Sequence, residues 1–239
     1  MIRKVISDLE EIVESDGTIE DVRDYVIETL VDFFELPKIN EENYPQIVLD
    51  YSELDFEIKQ FSKESHYNVE HNFIFYAPGN FDALAEESMH FINYFFNETT
   101  GQKFNYGSGI DYFYSHVLAE ALGHFASKLV FGMKFDEERI KGTEAYDLYL
   151  EHLKFESNIK GLTSENFNQN CPLEKIFKQD IKEISSTLHF LGYNLGEKMF
   201  KAYEEKRFFK KELRDLIYND FKEKGSSMDI YLSLVEFLE

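Results

Sequence analysis

Apolar residues recur at Ile2, Val5, Ile6, Leu9, Ile12 and Val13, a spacing that predicts a first helix ending near Ser15-Asp16-Gly17. Thr18 followed by Asp21 has the form of a helix N-cap. A second helix is predicted from Ile19 to about Leu36, with Val22, Tyr25, Val26, Leu30, Phe33 and Phe34 on its apolar face and Pro37 as its stop. The period then changes. Gln46 to Tyr51 is a short strand candidate. From His66 to Tyr76 the residues alternate: Tyr67, Val69, His71, Phe73 and Phe75 face one way, His66, Asn68, Glu70, Asn72, Ile74 and Tyr76 the other. That is the period of a strand, and Ala77-Pro78-Gly79-Asn80 closes it.

Helical spacing returns from Asp82 to about Asn97, with Leu84, Met89, Phe91, Ile92 and Phe95 apolar. Thr99 to Gly109 reads as a polar, Gly-rich loop. Asp111 to about Val130 is a long and mostly apolar helix, the pattern of burial on all sides. Residues 132–172 mix short helical turns with loop, and Cys171-Pro172 marks a break. From Leu173 to Glu239 the chain is helical again, in three pieces broken near Arg207 and at Gly225-Ser226. There is no internal repeat and no low-complexity segment. One small sheet among many helices makes the expected fold class α+β, predominantly α. Residues 1–131 hold the N-terminal helices, the sheet and the chemically interesting helices. Residues 132–239 form a helical C-terminal region, expected to belong to the same unit.

Composition narrows the function classes. With 43 % hydrophobic residues, including 24 Phe and 15 Tyr, the chain can bury a proper core, which argues against intrinsic disorder. The formal net charge is −21. Nucleic acid needs a basic surface that releases counterions, and an anionic membrane surface would repel this chain too. The densest basic run, Lys206-Arg207 and Lys210-Lys211 with Arg214, is diluted by Glu204, Glu205 and Glu212. Met1-Ile2-Arg3-Lys4 leads into no long apolar core, so no signal peptide is expected. No stretch nears the roughly 18 apolar residues of a spanning helix. The single Cys171 excludes an internal disulfide and a Cys-based zinc site. A cytoplasmic protein is expected.

The most informative stretch is Leu84-Ala85-Glu86-Glu87-Ser88-Met89-His90-Phe91-Ile92. It lies on a helix directly after a strand and a turn. Residues four apart share a helix face, so Glu86 and His90 project together, with Glu87 one step round. This layout resembles the zincin metallopeptidases, whose helix carries H-E-x-x-H: two His bind zinc and the Glu is the general base. The same five positions here read Glu86-Glu87-Ser88-Met89-His90. The base and the second ligand match, and Glu86 replaces the first His. The resemblance, over roughly residues 66–131, implies a small sheet packed on an active-site helix. It also implies a peptide or protein substrate laid along the strand at 66–76, with Asn72, Phe73 and Ile74 in contact. In the gluzincin branch a Glu from a following helix is the third ligand; Glu120 is 30 residues after His90 on the next helix. The implied metal set is Glu86, His90 and Glu120 around one divalent ion, with Glu87 as catalytic base.

The departure has a physical consequence. Zn²⁺ with two His and one Glu sums to +1, whereas one His and two Glu give 0. A less positive centre polarises water less, so weaker hydrolytic activation is expected. More oxygen ligands also shift preference from Zn²⁺ towards Mn²⁺ or Fe²⁺.

Other readings stand beside this one. His116, Glu120 and His124 fall at i, i+4 and i+8, drifting by about 40° per step, so His116 and His124 are alternative ligands. With Glu87-x-x-His90 they suggest a di-metal carboxylate bundle, although Ala121 and Gly123 stand where a second Glu-x-x-His would need Glu or His. A non-enzymatic interaction module keeping a zincin cleft is another reading. In the plainest one, Glu86 and Glu87 are solvated residues near a helix N-terminus and His90 and His124 are hydrogen-bonded core histidines. Glu120 is harder to fit there, because among Val117, Leu118, Ala121, Leu122 and Phe125 a carboxylate needs a partner or a metal, and a structural hydrogen bond to His90 or His124 stands as the alternative to a ligand role. His66 and His71 fall on opposite strand faces, and His152 and His189 stand alone as structural residues. Gly107-Ser108-Gly109 reads as a hinge and cap.

Overall fold

The computed structural model describes residues 17–50, 64–77, 80–99, 110–156, 181–217 and 227–238. The expected first helix over Ile2–Val13, the Gly107-Ser108-Gly109 hinge and the breaks at Cys171-Pro172 and Gly225-Ser226 lie outside these residues.

Helix α1 (Ile19–Phe33) begins as its sequence predicts. Thr18 N–H donates to Asp21 Oδ2 at 2.6 Å, and Asp21 N–H donates to Thr18 Oγ1 at 3.2 Å, a reciprocal capping box. The helix ends three residues earlier than the apolar pattern suggests. Glu35 adopts φ 56°, and Leu36 N–H reaches back to Val31 O at 3.0 Å. Pro37 disfavours helical backbone at the residue before it, so the chain turns out ahead of the proline.

The expected strand over 66–76 is two strands. β1 (Gln46–Val48), β2 (His66–Asn68) and β3 (Phe73–Phe75) form a sheet in the order β1-β3-β2. β3 runs parallel to β1 and antiparallel to β2, with Tyr67 opposite Ile74. Between β2 and β3 the chain reverses through Val69 to Asn72. Asn72 takes φ 50°, a left-handed conformation that Asn tolerates better than most residues. Its side chain locks the turn: Nδ2 donates to Asn43 O, and Oδ1 accepts from Tyr67 Oη, each at 3.1 Å. Alternation continues through a tight hairpin, so period alone did not reveal it.

Seven helices are described. After α1 come α2 (Phe81–Thr99), α3 (Ile110–Phe131), α4 (Glu144–Glu156), α5 (Ile181–Glu204), α6 (Lys210–Ile217) and α7 (Ser227–Leu238). The protein is α+β and mostly α, as expected. α4 is a regular helix where only short turns were expected. α3 is the central rod: Phe113, Tyr114, Val117, Leu118, Ala121, Leu122, Phe125, Ala126, Leu129 and Val130 are all buried. It packs chiefly along α5 and α2, and also against α7. Burying each large side chain of such a rod contributes about 1.5–3 kcal/mol. Helices from both halves of the chain therefore share one hydrophobic core. Among the described residues no helix is long and apolar enough to cross a membrane.

Candidate metal site

Helix α2 sets the first part of the site. Glu86 and His90, one turn apart, face α3 and α5 rather than solvent. Glu86 and Glu87 are 6 % and 8 % exposed, which overturns the expectation that they are solvated residues on an open helix face. From α3, Glu120 comes to meet them, 8 % exposed. One ligand atom from each of Glu86, His90 and Glu120 lies within 4.8 Å of the others. Nε2 of His90 stands 3.7 Å from Oε1 of Glu120. This buried group could hold a metal ion.

Two glycines allow the approach. A Cβ on Gly192 of α5 would sit 2.3 Å from Glu120 Cβ, and one on Gly123 of α3 would sit 2.9 Å from Glu86 Cγ. Only a hydrogen at these positions lets the three backbones close around the cluster.

Helix α5 supplies what sequence reasoning missed. His189 and Tyr193, also one turn apart, point into the same space. Tyr193 Oη donates to Glu86 Oε1 at 2.9 Å, and His189 Nε2 lies 3.6 Å from Glu120 Oε2. The available signal was their i, i+4 spacing beside Gly192 and Gly196. It names a face of α5 without naming what that face meets.

Together Glu86, Glu87, His90, His116, Glu120 and His189 line a cavity of about 390 Å³. Its electrostatics follow from burial. Glu86 is pushed well up from the ordinary carboxylate range, first by burial and then by the charge of Glu120. Burial also pushes Glu120 up, but His189, His90 and the hydrogen bond with Glu86 outweigh it and hold Glu120 down as the anion. Burial lowers His90 and His116, so both imidazoles are neutral at pH 7. His189 is raised, chiefly by Glu120. Burial, with Glu86 and Glu120 nearby, raises Glu87 against the pull of a hydrogen bond from Tyr67 N–H at 2.6 Å.

The remaining expected residues separate clearly. His116 and His189 line the cavity but are not in the three-residue group. His124 is a structural residue, which corrects its reading as an alternative ligand. Its ring stacks on Tyr193, centroids 5.0 Å apart, and its Nε2 is 3.0 Å from Glu197 Oε1. The rotation of about 80° accumulated from His116 to His124 carries it past the cavity. His152 is structural as expected, buried and hydrogen-bonded to Tyr114 Oη at 3.0 Å. Asn72 is committed to its turn. Phe73 and Ile74 are buried in the central strand, paired on both sides, so none of the three is free to receive a peptide strand. The sheet edge beside the cavity is β2.

Comparison of the chain with models of known protein families, with curated proteins and with solved structures finds no match.

Proposed function

We propose that this protein is a single-metal hydrolase of the zincin-like, gluzincin-type kind, acting on a peptide bond. The observation that carries the reading is the convergence of Glu86, His90 and Glu120 on one buried point, with Glu87 lining the same cavity. Three buried carboxylates within one cavity cost several kcal/mol each when uncompensated. A divalent cation is the compensation that also explains the imidazole beside them. The order of strand, turn, helix with Glu86-Glu87-x-x-His90 and following helix with Glu120 supports the zincin-like assignment.

Glu86, His90 and Glu120 would hold the ion, zinc or the harder manganese or iron, and it would supply Lewis-acid polarisation of the scissile carbonyl and of water. Neutral His90 offers a lone pair without first losing a proton. The ion's positive charge would also offset the repulsion between Glu86 and Glu120. It would likewise act against the burial that chiefly raises Glu87, which could then accept a proton from water. Its bond from Tyr67 N–H fixes which oxygen stays free. The substrate would lie beside β2, the strand that borders the cavity, rather than on β3.

Elemental analysis of protein purified without chelator or affinity-tag nickel tests the reading. One equivalent of zinc, manganese or iron, lost in Glu120→Ala and His90→Ala, is the expected result. Glu87→Gln should keep the metal and lose hydrolysis of a peptide library. Protein that contains no metal and takes up neither Zn²⁺ nor Mn²⁺ would overturn it. A second reading rests on His116 and Glu87, which face the same cavity and suit a second ion; two equivalents, one lost in His116→Ala, would favour a di-metal carboxylate centre.

A further inference from the structure

Resting on that metal reading, we infer that His189 is a fourth protein ligand, so that the metal ties α5 to α2 and α3. The geometry of its ring carries the inference. Nδ1 of His189 lies 2.7 Å from the carbonyl oxygen of Ser185, one turn earlier on α5. A carbonyl only accepts, so Nδ1 carries a hydrogen and donates it. In the neutral ring this leaves Nε2 with its lone pair, aimed into the cavity. Histidines that bind metals are oriented in this way, one nitrogen donating to a backbone carbonyl while the other binds the ion.

What Nε2 faces is the second observation. At 3.6 Å stands Oε2 of Glu120, an oxygen that is buried and has no hydrogen-bond partner among the described residues. An imidazole lone pair and a carboxylate oxygen that face one another this closely repel unless a positive centre lies between them. A metal ion bound to Oε2 of Glu120 would stand beside the same lone pair. The other oxygen of Glu120 faces His90 at 3.7 Å, so the carboxylate stands between two imidazoles from different helices. The donor set becomes two imidazoles and two carboxylates, and the water that hydrolysis needs would take a fifth position on the ion.

The inference also explains the close contact at Gly192. That residue follows His189 by three and lies against Glu120 Cβ. Any larger side chain there would carry Nε2 out of reach of the ion.

X-ray absorption of the zinc-loaded full-length protein counts the imidazoles directly, with zinc affinity measured in parallel by competition with a chromophoric chelator. The wild type should show two imidazoles, and His189→Ala and His189→Gln one each. Side chains that only orient a ligand cost about 10–100-fold in metal affinity, so loss of the ligand itself should cost about 100-fold or more. His71→Ala, in the exposed hairpin turn, should change neither. The His189 side chain is 40 % exposed, so its truncation opens no closed core, and His189→Gln preserves most of the volume. An unchanged imidazole count in both variants would overturn the inference while leaving the metal site standing. A wild type that binds no zinc would overturn the site itself.

Discussion

Tyr193 donates its phenolic hydrogen to Glu86 across 2.9 Å, joining residues 107 positions apart in the chain. The bond links the helix that carries the Glu-Glu-x-x-His stretch to a helix in the C-terminal half of the chain. It fixes one oxygen of Glu86 and so decides which oxygen can face a metal. Tyr193→Phe removes that hydrogen alone and keeps the ring against His124. We expect metal affinity to fall about 10-fold and stability by about 1 kcal/mol. Chelator competition and urea denaturation would check the two numbers. Unchanged affinity would mean that Glu86 needs no orienting partner.

Gly192→Ala places a methyl group where Glu120 Cβ already sits, 2.3 Å away. Helix α5 must shift away from α3 to admit it. The expected destabilisation is about 1–3 kcal/mol, with metal binding lost or sharply weakened. Lys201→Ala, exposed on the same helix, should stay within about 0.5 kcal/mol of the parent. Equal melting curves for the two variants would show that the helices do not pack this closely.

Glu197 makes stability depend on acid. Burial alone would raise its carboxyl, but hydrogen bonds from His124, Lys128 and the Phe135 N–H hold it down at about 2, against an ordinary 4.5. A folded-state value below the unfolded one means that its contribution is fully present above about pH 4.5. It is lost as the pH falls towards 2. The stability gap between wild type and Glu197→Gln should therefore be constant from pH 7 to about 5 and shrink below that. Denaturant midpoints at a series of pH values would check it; a gap that widened on acidification would contradict the assignment.

Metal should stabilise the folded chain by mass action. At a free concentration 100 times its Kd, the gain is about 2.7 kcal/mol. For a chain of this size that raises Tm by about 5–10 °C. A chelator should reverse the shift, and Glu120→Ala should abolish it. The same shift in Glu120→Ala would place the ion elsewhere.

Thr18→Ala tests a part of the fold that is independent of the site. It removes the side-chain half of the capping box on α1 and should cost about 1 kcal/mol with metal content unchanged. A simultaneous loss of metal would mean that the end of α1 bears on the cavity.

Local chemistry was readable in the amino-acid sequence. Thr18 and Asp21 announce a cap because the bonds join residues three apart. Glu86 and His90 announce a shared face because helical rotation brings residues four apart into line. The burial of α3 follows from apolar side chains on every side of it. The hairpin escaped, since Asn72 reverses the chain without breaking the alternation of residues around it. The ligand role of His124 failed for a related reason: spacing along α3 says which face a residue is on, and that face turned out to meet Glu197 on α5.

Most of the helices, and the common helix of Glu86, Glu87 and His90, were legible before folding, because those relations are set by helix geometry within a few residues. Packing brought Glu120, which only the family resemblance had implied, onto that face, and packing alone set His189 and Tyr193 beside it from α5 and left His124 outside. The physical reason is that contact between helices depends on how closely their backbones approach. Here Gly123 and Gly192 set that approach, and their effect becomes visible only when the three helices are packed together.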